Sequence, residues 1–156
     1  MEEALEVARE ARLTDASVET ACNLASLMVY RPREFGPARL LAEETLATAR
    51  NLKRPDLVAR TLATLSRLET WACRWGAAAA HANEGAELSR RLAKLPEPPC
   101  TELPSMLAEG MGLSASWKAG TRAMEVLSLG YLAHVRLYQG RPQEAMAIAR
   151  EVLGIS

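Results

Sequence analysis

Apolar residues recur along the chain at steps of three and four, in blocks separated by proline, glycine or clustered charge. That rhythm turns one face of an α-helix toward a core. The blocks cover 2–13, 17–30, 37–52, 56–73, 76–94, 117–139 and 141–153. Several carry a start signal. Asp15 or Ser17 can accept hydrogen bonds from the free N–H groups that open the second block. Pro37, Pro55 and Pro142 suit a first helical turn, where a missing N–H costs nothing. The interval 95–116 breaks the rhythm. Pro96, Pro98, Pro99 and Pro104 forbid a continuous helix there, and Gly110 and Gly112 weaken any helix beyond them. It reads as an irregular insertion with one short helix near 104–111.

Composition narrows the fold class. Ala and Leu supply 51 of the 156 residues and Val and Ile only 9, whereas strands draw on β-branched side chains. An all-α domain is expected, and a chain of this length can bury the core of one folded unit. Internal similarity points further. Ala4-Ala8-Ala11, Ala38-Ala42-Thr45, Ala78-Ala82-Gly85 and Ala145-Ala149-Val152 repeat one spacing of small or slender residues. Residues at i, i+4 and i+7 share a helix face, and small ones let a second helix approach closely. An Ala-rich irregular bundle would use such faces too, but the repetition favours an array.

The repeated unit resembles the tetratricopeptide repeat, a 34-residue pair of antiparallel helices with small residues where the two meet. The last unit, residues 131–153, matches best, with Leu132-Ala133 at the family's Leu-Gly pair, Gly140 in its turn, and Ala145 and Ala149 in its second helix. Leu65, Ser66, Trp75, Ala78 and Ala82 fill these positions in one earlier unit, and Ala25, Ser26, Phe35, Ala38 and Ala42 in another. Arg33 and Cys73 replace the turn glycine, and Pro142 the bulky turn residue. The resemblance implies a right-handed α-solenoid of about three and a half repeats, a single TPR-like domain over 1–156. Residues 2–13 would be a second helix lacking its first, so the chain reads as a fragment of a larger protein. Open ends of that kind favour self-association into a homodimer. The irregular repeat lengths and Ala, Leu and Arg bias are similar to the sensor arms of bacterial maltose-activator-type transcriptional regulators and signalling ATPases. This implies a regulatory setting, and three cysteines, odd in number and without paired spacing, fit a cytoplasmic, thiol-reducing one.

Charge and motifs remove other classes. With 19 basic and 19 acidic residues the net charge is zero, so no electrostatic footprint for nucleic acid or an anionic membrane is present. No apolar run is long enough to span a bilayer, and Glu2 and Glu3 stand where a signal peptide would carry positive charge. Cys22, Cys73 and Cys100 lack metal or redox spacing. No phosphate-binding loop or nucleophile elbow occurs: Lys118 is followed by Ala119, and Gly112 to Ser116 lacks the second glycine. His81 and Glu84 share a helix face but have no third ligand. The chain is therefore expected to be no enzyme, with neither cofactor nor metal.

What remains is the concave face, which the resemblance lines with the first helix of each pair. It places Thr20, Asn23, Leu27, Tyr30 and Arg31 there from one unit. The next gives Arg60, Ala63, Arg67, Thr70 and Trp71, and the last Leu127, Gly130, His134, Leu137 and Tyr138. Tyr30, Arg31, Arg60, Arg67, Trp71, His134 and Tyr138 form the candidate site, because aromatic and arginine side chains anchor interfaces and arginine pairs with carboxylates. No acid stands among the inner positions, so an acidic protein or peptide is the expected partner. A small-molecule effector in the same groove is the alternative.

Overall fold

The structure is a computed structural model that describes residues 14–28, 30, 34–95 and 117–154. The described residues form an all-α arrangement of six helices: α1 Thr14–Met28, α2 Phe35–Asn51, α3 Pro55–Trp71, α4 Trp75–Ala93, α5 Trp117–Tyr138 and α6 Pro142–Leu153. The expected helix at 2–13, the short helix near 104–111 and nearly all of the insertion lie outside the described residues. Pro55 and Pro142 open α3 and α6 as expected. Two start signals fall elsewhere. Asp15 and Ser17 lie within α1 and not ahead of it. Pro37 is the third residue of α2, still within the turn whose N–H groups go unused.

Three of the connections are the same tight turn. Lys53, Cys73 and Gly140 each take positive φ. The residue after each of them, Arg54, Arg74 or Arg141, donates its N–H to the carbonyl five positions back, at Ala49, Glu69 or Arg136. These are the six-to-one bonds that close a helix through a left-handed residue. Only the last turn uses the glycine that this conformation favours.

Contacts between named residues fix the helix directions. Arg39 of α2 lies near Glu69 of α3, 3.9 Å apart, and Phe35 meets Trp71. Those sequence numbers fall on one helix as they rise on the other, so α2 and α3 run antiparallel. Ser66 donates to the Ala78 carbonyl across α3 and α4, and Gly85 of α4 lies between Leu62 of α3 and Ser128 of α5. Besides packing in sequence order, α3 packs on both α1 and α5. Helices α1, α3 and α5 thus form one layer and α2, α4 and α6 a second. Arg50–Glu84 and Arg90–Glu151 ion pairs tie the second layer together.

Two apolar clusters fill the interior. One joins α1, α2 and α3 around Leu62, Leu65 and Leu68. The other sets Ala78, Ala79, Ala82 and Ala86 of α4 against Leu129, Leu132 and Val135 of α5. Small-residue faces lie where expected in two cases: Ala38-Ala42-Thr45 and Ala78-Ala82-Gly85 are buried. The first trio lies outside the described residues. The last one departs from expectation, since Ala145 is buried and Val152 half-buried while Ala149 is exposed. Ala149 lies on the flank of α6 away from α5, where no described helix follows.

Candidate binding face

The solvent side of the α1–α3–α5 layer is built from one spacing used three times. Helix α3 presents Arg60, Arg67 and Trp71, with buried Thr64 between them, at positions i, i+4, i+7 and i+11 of a single stripe. Subtracting 41 gives Glu19, Asn23, Ser26 and Tyr30 on α1. The cross-links between the helices run at that offset or three to four residues short of it. Arg60 donates to Glu19 at 3.3 Å and also to Asn23. Thr64 and Ser26 share a 2.9 Å hydroxyl bond. Arg67 donates to the Ser26 carbonyl at 2.7 Å, and its guanidinium lies 5.5 Å from the centre of the Tyr30 ring. Adding 67 gives Leu127, Tyr131, His134 and Tyr138 on α5, an offset consistent with Leu62 and Ser128 flanking Gly85.

Across the layer the last positions of the three stripes are all aromatic. Tyr30 and Tyr138 are each 67% exposed and Trp71 is 53% exposed. None is loose. Trp71 packs edge-on against Phe35, with ring centres 6.2 Å apart, and Tyr138 stacks on Trp75 at 4.9 Å. Aromatic rings held this way add contact area while losing little side-chain freedom on binding.

Of the expected site residues, Tyr30, Arg67, Trp71, His134 and Tyr138 fall on these stripes, with His134 exposed at the α5 position equivalent to Arg67. Arg31 lies outside the described residues. Arg60 is present but differs from expectation, because Glu19 neutralises it; the expectation that no acid accompanies the inner arginines fails there. Glu19 precedes the first inner position considered, Thr20, by one residue, and only the offset of 41 brings it opposite Arg60. Ala63 and Thr70, also expected on the face, are buried on the flank of the α3 stripe. Ser26, Thr64 and Tyr131 were missed, although the i, i+4, i+7, i+11 spacing was present in the sequence to find them.

The remaining titratable features lie beneath this face or away from it. Cys22 is buried and its thiol pKa is raised, chiefly by desolvation, with Arg60 and the Thr61 and Thr64 hydroxyls opposing the shift. Glu69 is buried between Arg39 and Arg74. A shallow cavity of about 320 Å³ opens between Ala49 of α2, Lys53 of the turn, Val58 of α3 and Leu88 of α4. Among the described residues no cluster could hold a metal ion, and no helix is long and apolar enough to cross a membrane.

Set against known protein families, curated proteins and solved structures, the chain matches none.

His81 of α4 supplies a pH prediction. Burial lowers its pKa below the ordinary histidine value and Arg50 adds to this, while Glu69, Glu84 and Glu43 oppose it. Because the folded value is the lower one, the unfolded chain takes up the proton first as pH falls. Stability should be fully retained above the unfolded pKa of about 6.5 and decline as pH drops toward the folded value. Denaturant titrations at pH 7.5, 6.5 and 5.5 should show a smaller decline in His81→Asn than in the parent; equal declines would remove His81 as the cause.

Proposed function

We propose that the chain is a non-catalytic interaction scaffold whose α1–α3–α5 face binds an extended peptide segment bearing a carboxylate beside an apolar side chain. The observation that carries this reading is Arg67. It has no acidic partner among the described residues, its Nε is buried without a hydrogen-bond acceptor, and it lies one turn from exposed Trp71 and against the Tyr30 ring. A guanidinium fixed on an aromatic ring is oriented to accept a carboxylate, and the aromatic row beside it offers an apolar anchor. The offsets of 41 and 67 also support the resemblance to a tetratricopeptide-type solenoid of about three and a half repeats. By the same resemblance, the scaffold serves in a bacterial transcriptional or signalling regulator.

The test is a binding screen with fluorescein-labelled hexapeptides that combine Asp or Glu with Leu, Phe or Trp, titrated with the whole chain. Acidic members should bind, and Arg67→Ala and Trp71→Ala should each weaken binding about tenfold or more, on the order of 1–3 kcal/mol. Helical content by circular dichroism should not change. Equal binding by peptides with Lys in place of the acid, or by the two variants, would sink the proposal.

A further inference from the structure

The three equivalent turns differ at one position. The carbonyl that closes each turn belongs to Ala49, Glu69 or Arg136. Ala49 is buried but uncharged and Arg136 is half-buried, whereas Glu69 is an acid whose side chain is only 3% exposed. Its carboxylate meets guanidinium groups from two other elements, Arg39 of α2 at 3.9 Å and Arg74 of the turn. Such a group is a poor source of stability, because desolvation offsets most of the attraction between buried charges. What it supplies is one preferred geometry. Each arginine stands close in sequence to a residue that seats an exposed aromatic ring. Phe35, four residues before Arg39 and so on the same face of α2, meets Trp71 edge-on. Trp75, which follows Arg74, stacks on Tyr138. Arg74 is held twice by the same residue, its N–H on the Glu69 carbonyl at 2.8 Å and its guanidinium on the carboxylate.

We propose that Glu69 is a positioning residue for the aromatic row. Through Arg39 it fixes Phe35 against Trp71, and through Arg74 it fixes Trp75 against Tyr138, so one enclosed carboxylate sets both exposed rings relative to each other. Its purpose rests on the peptide-binding reading; its geometry does not. Glu69 itself touches no ligand, because its side chain is buried. The effect falls on the apolar part of a ligand. Rings already fixed leave less side-chain freedom to be lost on binding, which favours a partner whose apolar group rests on them. The carboxylate end of the ligand gains nothing from Glu69. Arg67 is held from α1 instead, by the Ser26 carbonyl and the Tyr30 ring.

Fluorine NMR of the whole chain labelled with fluorotryptophan tests the geometry, with Trp71→Phe and Trp75→Phe assigning the two lines. Glu69→Gln, which keeps the shape and removes the charge, should shift or broaden both lines. Arg39→Gln should move the Trp71 line alone and Arg74→Gln the Trp75 line alone. Both arginines are partly exposed, so these two variants keep the core closed and decide the matter if Glu69→Gln does not fold. Movement of both lines in every variant would mean general loosening and would overturn the proposal, as would no movement in any. Affinity tests the effect on the ligand, using an acidic hexapeptide that carries Phe and the same peptide with Ala in its place. Glu69→Gln should weaken the first about fivefold or more and the second less than about twofold. Equal weakening of both would make Glu69 a residue of the fold alone and overturn its positioning role. Binding of neither peptide by the parent chain would sink the peptide-binding reading, and the fluorine pattern would then decide by itself whether Glu69 sets the rings.

Discussion

Leu62→Ala is expected to lower the unfolding free energy by about 2–5 kcal/mol, the range for emptying a leucine-sized space in a core that relaxes only in part. Leu62 is fully buried in the α1–α3 cluster, and its Cβ lies 3.4 Å from where a Cβ on Gly85 would stand. It therefore touches the seam between the two apolar clusters as well as its own. Urea denaturation followed by circular dichroism measures the loss. A change below about 1 kcal/mol would mean that the position is not enclosed as described.

Gly85→Leu should destabilise from the opposite direction, by overfilling. A Cβ at this position would stand 2.9 Å from the Ser128 hydroxyl oxygen, closer than side chains ordinarily come, and the rest of a leucine would have to part α4 from α3 and α5. Overpacking of this kind costs about 1–3 kcal/mol, occasionally more. The companion variant Gly85→Ala separates this cause from helix propensity. Alanine gains about 1 kcal/mol over glycine inside a helix, and the Ser128 hydroxyl can rotate away from a single methyl, so the two effects nearly cancel. Thermal melts that place Gly85→Leu above the parent would show that the three helices do not meet there.

The helices and their small-residue faces were legible because both are local properties. Proline positions at 55 and 142 and the spacing of Ala38-Ala42-Thr45 need no knowledge of neighbours. The candidate face was legible in outline for another reason: the tetratricopeptide resemblance supplied the register that placed Tyr30, Arg67, Trp71, His134 and Tyr138 at inner positions. Departures arise where the outcome depends on a second helix. Thr64 lies on the stripe that ends in exposed Trp71 and Thr70 directly precedes that residue, yet α3 packs on two helices of its layer and both are buried, as is Ala63. Glu19 pairs with Arg60 through an offset that only packing defines. Ala149 shares its sequence pattern with buried Ala82 but is exposed, with no helix among the described residues to cover it.

The alanine row of α4 bears on the order in which the chain acquires its structure. Helices α1 to α4 follow one another through short connections, so their contacts close small loops and form early. The partner of Ala78, Ala79, Ala82 and Ala86 is α5, separated from α4 by residues 94–116. During synthesis from the N-terminus the first four helices are complete while this row still faces water. It stays uncovered until Leu129, Leu132 and Val135 have been made. The α4–α5 contact is thus the late, long-range step, and slowing it prolongs the time in which a stranger's helix can occupy the row.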